Sequence, residues 1–228
     1  VLVSFWAGIR WGTKGSEGQP ILAGLLVWLA MFMAVMLHQA QSRFSEQTTL
    51  VRLESDAVAN LFRKLQPLPD AHRSQMRSLL ISYVDTKIKN NGQFSTKDTQ
   101  SIQEAQGIQR QLVFLSGDLI KQKVLSELQN IGLQEAIDQV TALHFHRAYA
   151  AEERLPGMVL AALFLQSGIL AFVVGAQRNG QLGAAFLILV TSTTLLILDY
   201  ERPHSGLIQL DTSNLRDVSN IMHHEEQL

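Results

Sequence analysis

The sequence predicts an all-α integral membrane protein whose second helix runs out of a membrane span into a water-facing helical bundle. Three observations predict it. No Asp, Glu, Lys or Arg occurs between Gly18 and Ser42, a run long enough to cross a hydrocarbon core of about 30 Å at about 1.5 Å per residue. From Arg43 the composition turns polar, yet no Gly or Pro follows before Pro67. Phe44, Leu50, Val51, Leu53, Ala57, Val58, Leu61, Phe62 and Leu65 recur there at spacings of three and four, which keeps them on one helical face. Finally, Met158 to Ala176 and Leu182 to Leu198 are two further charge-free runs. Their link is so short that the two helices must be antiparallel neighbours.

Taken in order, Val1 to Ile9 is apolar and too short to span. Residues 1–9 read as the end of a first transmembrane segment whose start is missing; a signal-peptide core would need a basic flank and a cleavage site that are not seen. Arg10 to Gln19 is a Gly-rich turn. Residues 20–41 form the second span, with Pro20 in the first turn, where its missing N–H costs nothing. Residues 42–156 form a helical domain. Its first part completes the long helix, which Pro67-Leu68-Pro69 must end. Asp70 is placed as the N-cap of a helix over Ala71–Lys89, striped by Met76, Leu79, Leu80, Tyr83 and Val84 and closed by Asn90-Asn91-Gly92. Ser95, Thr96 or Asp98 caps the next helix, which runs to about Gln129 with Ile102, Ala105, Ile108, Leu112, Leu115 and Leu119 inward. Asn130 to Gly132 is read as a break. Leu133 to Leu155 is a further helix, with Ile137, Val140, Leu143 or His144, and Ala148 on one side. Pro156-Gly157 marks the return to the membrane, and residues 157–199 are the hairpin of third and fourth spans. Residues 200–228 are a C-terminal tail. Thr212 or Ser213 caps a last amphipathic turn through Leu215, Val218 and Met222, and the chain frays from His223.

Composition narrows the function. Of the 228 residues 46% are hydrophobic, and a mean hydropathy of +0.09 averages very apolar runs with a polar middle. A net charge of −1 offers no basic surface for nucleic acid. The absence of cysteine excludes disulfides, thiolate metal sites and cysteine nucleophiles. No Asp, Glu, Lys or Arg lies inside a span, where proton pumps and ion-coupled transporters usually need such groups. His144-x-His146 places two imidazoles on different helix faces, and His223-His224 lies in the tail, so no metal is expected at either. No phosphate loop, nucleophile elbow or acid/base pair is present, and no cofactor or enzymatic activity is expected. Gln166, Ser167 and Thr191-Ser192-Thr193-Thr194 are the polar residues within spans, more simply explained by hydrogen bonding between or within helices than by a lining. Ala30/Ala34, Gly157/Ala161 and Ala171/Gly175 are small residues four apart that let helices approach closely. Glu54 stands among apolar face residues and needs a partner if buried; Arg147 is the candidate. Lys and Arg number Arg10, Lys14 and Arg178 on one side of the spans. Arg43, Arg52, Arg147, Arg154 and Arg202 lie on the other, which places the helical domain and C-terminus in the cytoplasm.

Several motifs together resemble the bacterial bestrophin-like family. They are Ser42-Arg43-Phe44 followed by Glu54-Ser55-Asp56-Ala57; Leu68-Pro69 with Arg73, Arg77, Leu80 and Tyr83-Val84; Gln134-Glu135-Ala136-Ile137-Asp138, then Arg147 and Pro156; and, most specific, Asp199-Tyr200-Glu201-Arg202-Pro203-His204-Ser205-Gly206-Leu207-Ile208 after the last span. The chain departs from the family pattern at Glu201, where Asp is usual, at Gln134, where Asn is usual, and near Val113-Phe114, where a tryptophan is common. The resemblance implies a four-span protein of the bacterial inner membrane with a helical cytoplasmic domain. It marks Glu54, Asp138, Arg147, Asp199, Arg202, Pro203 and Gly206 as signature residues. By analogy with bestrophins, it implies a homo-oligomer in the lipid bilayer that passes anions along the second span. Trp28, Phe32 and Met36 are then candidates for an apolar constriction. Within the signature, Asp199 and Glu201 lie at a helix C-terminus that disfavours acids; Arg202 offsets them, Pro203 ends the helix and Gly206 permits a sharp turn. The rival expectation is a membrane-anchored helical scaffold that transports nothing.

Overall fold

A computed structural model of the chain describes residues 1–11, 19–89, 99–121, 125–152, 155–177, 180–201 and 207–226. These residues form eight helices: α1 (Leu2–Trp11), α2 (Gln19–Lys64), α3 (Asp70–Lys89), α4 (Thr99–Lys121), α5 (Glu127–Glu152), α6 (Gly157–Ala176), α7 (Gly180–Tyr200) and α8 (Ser213–Glu226). No strand occurs among the described residues. Three helices are long and apolar enough to cross a membrane: α2, α6 and α7. At ten residues α1 is not. The chain divides into two units, Val1–Phe44 with Arg154–Ile208, and Ser45–Glu153 with Gln209–Leu228. As its pattern requires, α2 is one helix of 46 residues and belongs to both.

The first unit packs α1, the N-terminal part of α2, α6 and α7. Leu22, Leu29, Met33, Met36 and Ala40 of α2 meet Leu163, Leu170, Val174, Phe186, Val190 and Ile197 in its core. α1 and α6 touch backbone to backbone. A Cβ on Gly8 would run into the Phe172 carbonyl, and one on Gly175 would run into the Phe5 carbonyl. Ala171, four residues before Gly175, is fully buried. Small residues four apart thus bring the two helices together, as such residues do in membranes.

The second unit packs the rest of α2 with α3, α4, α5 and α8 around Val58, Leu61, Leu65, Leu80, Val84, Leu112, Leu119, Val140 and Leu215. Burying each such aliphatic side chain contributes about 1.5–3 kcal/mol. Two local readings change here. Asp70 is not a cap but the first helical residue, where the helix dipole favours an acid; its carboxylate pairs with Arg73, and the Pro69 carbonyl accepts the Arg73 N–H at 2.9 Å. The break between α4 and α5 falls before Glu127, not at Asn130–Gly132, which are helical. Ser126 and Gln129 form a capping box: Ser126 N–H donates to Gln129 Oε1 at 3.1 Å and Gln129 N–H to Ser126 Oγ at 3.4 Å. Gly132 lies against the Lys64 side chain, 3.3 Å from where its Cβ would be. The proposed close of the third helix at Asn90–Gly92 and the caps at Ser95, Thr96 and Asp98 lie outside the described residues.

The chain end is helical to Glu226 rather than frayed from His223. Leu215 and Met222 enter the core of the second unit. Ser219 Oγ donates to Asp85 Oδ1 at 2.9 Å, and His223 Nε2 lies 3.1 Å from Asp85 Oδ2. Glu225 meets Gln66 at 3.0 Å and Arg77 at 3.5 Å. These partners lie far away in sequence, so local patterning around His223 does not show them.

Candidate functional site

In the second unit, four helices converge on a polar cluster inside the apolar core. α2 supplies Glu54, α3 supplies Tyr83 and Lys87, α4 supplies Gln109, and α5 supplies His144 and Arg147. All six are buried, Glu54 and His144 completely. Helical spacing aims each one. Glu54 continues the stripe of Val51, Val58 and Leu61; Lys87 follows Leu80, Tyr83 and Val84 at three and four; Arg147 follows His144 by three.

The Glu54 carboxylate is the hub. Lys87 Nζ donates to its Oε1 at 2.7 Å and the Tyr83 hydroxyl donates to the same oxygen at 2.5 Å. Arg147 forms an ion pair with Oε2. The partnership of Glu54 with Arg147 expected from sequence is therefore present, and Lys87 is a second cation beside it. Lys87 Nζ also lies 3.0 Å from His144 Nδ1, which accepts from the ammonium, with the Tyr83 hydroxyl 3.5 Å from that nitrogen.

Charge and burial set the protonation states. Burial works to raise the Glu54 pKa, but Lys87 and Arg147, with hydrogen bonds from Lys87 and Tyr83, hold it well below the carboxylate range. Burial, and then the Glu54 charge, push the Tyr83 phenol well above 10.0. Burial lowers Lys87 to about 7 against the opposing pull of Glu54. Burial, and then the Lys87 charge, lower His144 to about 4. The cluster thus carries one positive charge more than negative while Lys87 is protonated, and sheds it near neutral pH.

A pH dependence of stability follows. The unfolded chain holds Lys87 at its ordinary 10.5 and His144 at 6.5. It therefore binds more protons than the folded chain from about pH 7 to 10.5 and again from about pH 4 to 6.5, and stability rises with pH through both windows. The Glu54 contribution is complete above its ordinary 4.5 and is lost as pH falls below it. The unfolding midpoint of the full-length protein should therefore climb from acid to alkaline pH. Lys87→Met should flatten the upper window and narrow the lower one, since the Lys87 charge helps burial to depress His144. An unchanged slope above pH 7 in that variant would contradict this assignment.

Apart from Asp138 and the histidines of α5, the remaining sequence-derived candidates belong to the first unit. Trp28 is exposed, Phe32 is half-buried and Met36 is buried in its own chain's core with Ala40 and Leu29. Steps of four drift round a 3.6-residue helix, so the three do not share one open face. Leu25, Trp28 and Val35 line one stripe of the open face, which also exposes Ile21, Val27 and Met31, and Phe32 lies at its edge. Asp199, near the end of α7, accepts the N–H groups of Leu207 at 2.7 Å and Ile208 at 2.9 Å, so its charge folds the chain back rather than opposing the helix end. Glu201 accepts the Leu155 N–H at 3.0 Å just ahead of α6 and lies 3.9 Å from Arg43. Arg202, Pro203 and Gly206 lie outside the described residues. Asp138 is exposed on α5 and lines a shallow hollow with Ile131 and Gln134. His144 turns inward and His146 outward. Among the described residues no three His, Asp or Glu gather in a metal-binding group.

Sequence patterning alone does not mark Lys87, Tyr83 and Gln109 as members of a site. The available signal is a lysine continuing an apolar stripe at the position where the next core residue belongs.

Comparison with known proteins places this geometry. Residues 17–215 match the family model for the Bestrophin-like domain. The fold is similar to that of a bacterial bestrophin homologue from Klebsiella pneumoniae, at 15% identity over 98% of this chain and 96% of that one, with a TM-score of 0.76. A tyrosine-to-alanine variant of the Klebsiella homologue aligns over 100% of this chain and 97% of that one at 13% identity, TM-score 0.78. A membrane protein carrying a proline-to-alanine substitution aligns over 98% and 94% at 14% identity, TM-score 0.78. At these identities the likeness is one of fold. None of the curated proteins matches the sequence.

Proposed function

The chain belongs to the bestrophin-like family, and from that premise we propose that it is an oligomeric channel of the bacterial inner membrane that passes anions along the open face of α2. The observation that carries this reading is the two-sidedness of α2 across its membrane-length segment. One side is packed at Leu22, Leu29, Met33, Met36 and Ala40, while Leu25, Trp28 and Val35 are left uncovered by their own chain. Copies arranged around an axis would bring that second side together as the wall of a path. Trp28 and Phe32 then stand as constriction residues, and Val35 takes the third position in place of Met36. The arginine balance across the spans favours a cytoplasmic second unit and C-terminus.

Chloride flux into liposomes holding the purified full-length protein tests the proposal. Trp28→Ala and Phe32→Ala should raise flux by widening an apolar constriction. Met36→Ala should leave the permeability of the folded protein unchanged and lower its stability, by about 2–5 kcal/mol for a buried Met. Equal effects of all three on flux would count against the assigned face.

A second reading, a membrane-anchored interaction module, is favoured by α5. Leu128 and Ile131 near its start and Phe145 and Tyr149 near its end are all exposed there, with Glu135 and Asp138 between the two pairs. Absence of flux from a monomeric protein would turn the reading to that surface.

A further inference from the structure

The uncovered side of α2 continues beyond its apolar part. After Val35 the same three-and-four spacing places Gln39, Ser42, Glu46, Thr49 and Leu53 on that side, and all five are exposed. Its character changes in order, from apolar through Val35 to uncharged polar at Gln39 and Ser42, and then to a carboxylate. Between Leu25 and Leu53 Glu46 is the one formally charged residue centred on this side. Arg43 borders it, but its guanidinium is turned toward Glu201 at 3.9 Å. Among the described residues the Glu46 charge has no ion-pair partner, and it lies past the end of the apolar run.

We propose that Glu46 sets the charge selectivity of the path, its carboxylate holding down the passage of anions relative to cations. The inference rests on the reading of α2 as the wall of that path. Repetition in each copy turns a single acid into a ring, the device by which channels discriminate sign of charge without a dedicated binding pocket. The acid is offered to solvent rather than buried, so its effect is electrostatic and long-ranged, and salt should screen it.

The test is the chloride-to-potassium permeability ratio, from the zero-current potential of bilayers holding the full-length protein under a potassium chloride gradient. Glu46→Asp should keep the wild-type ratio. Glu46→Gln should raise it severalfold, Glu46→Lys further, and both shifts should shrink toward 1 M salt, where the screening length is about 3 Å. Unfolding midpoints should not move, because the side chain is exposed. Conducting Glu46→Gln and Glu46→Lys proteins with the wild-type ratio would overturn this inference and leave the reading of α2 standing. A wild-type protein that conducts nothing would overturn both.

Discussion

Glu54→Gln should cost the second unit about 3–5 kcal/mol, lowering the unfolding midpoint by on the order of 10 °C. Glutamine keeps the size and hydrogen-bonding reach of glutamate but not its charge. Arg147, about 5% exposed, would then lie buried without the Glu54 carboxylate, and Lys87, about 4% exposed, would lose the charge that favours its protonated form. Of all changes in the cluster this one leaves the most charge uncompensated, since a single carboxylate serves two cations. Lys87→Met should be far milder, because it leaves Glu54 and Arg147 as a one-to-one pair. Replacing the three together, Glu54→Leu with Lys87→Met and Arg147→Met, should recover most of the loss, since buried ion networks are often matched by apolar residues of similar volume. Thermal unfolding followed by helicity in detergent measures all of these. A Glu54→Gln protein within about 1 kcal/mol of wild type would mean that the Arg147 guanidinium reaches water, contrary to the burial described.

The contrast between Glu54 and Lys87 shows what a sequence can and cannot disclose about such a site. A glutamate inside an apolar stripe announces a need, because a carboxylate is rarely buried alone, and the search for a cation at the matching depth leads to Arg147. A lysine in the same kind of stripe announces much less, since its long stem ordinarily carries the ammonium out to water. What pins Lys87 inside is the arrival of α2 and α5 from distant parts of the chain, and no local pattern encodes that. The spans are legible for a simpler reason. A charge-free run of membrane length has few other physical fates, and a helix with no Gly or Pro from Leu25 to Lys64 continues by default. The α4–α5 break is misplaced from sequence because Asn130 and Gly132 are conspicuous breakers, while the Ser126-x-x-Gln129 box that starts α5 is quiet. At Asp199 the helix dipole is the only force visible locally. Its partners, the Leu207 and Ile208 N–H groups, lie eight and nine residues on, beyond a signature whose middle carries no helical periodicity.

The second large effect belongs to Gly175. A single added methyl, Gly175→Ala, should part α1 from α6, because the new Cβ would meet the Phe5 carbonyl, and a backbone atom cannot rotate away as a side chain can. Overpacking of this kind costs typically about 1–3 kcal/mol and more where the backbone must move. Gly8→Ala collides from the opposite side with the Phe172 carbonyl, so the double variant should be little worse than either single one: once the helices have separated, the second methyl finds room. The glycines supply their own controls. At Gly24 and Gly157 the position a Cβ would take has nothing within 4 Å, and at Gly168 it meets only Ser4 Oγ at 3.5 Å, an ordinary contact. Gly24→Ala, well inside α2, should instead gain a few tenths to about 1 kcal/mol from helix propensity. Unfolding midpoints across this series would therefore split by sign. If Gly175→Ala and Gly24→Ala move the midpoint in the same direction, α1 does not lie against α6 at van der Waals distance, and the close approach of the two helices is wrong.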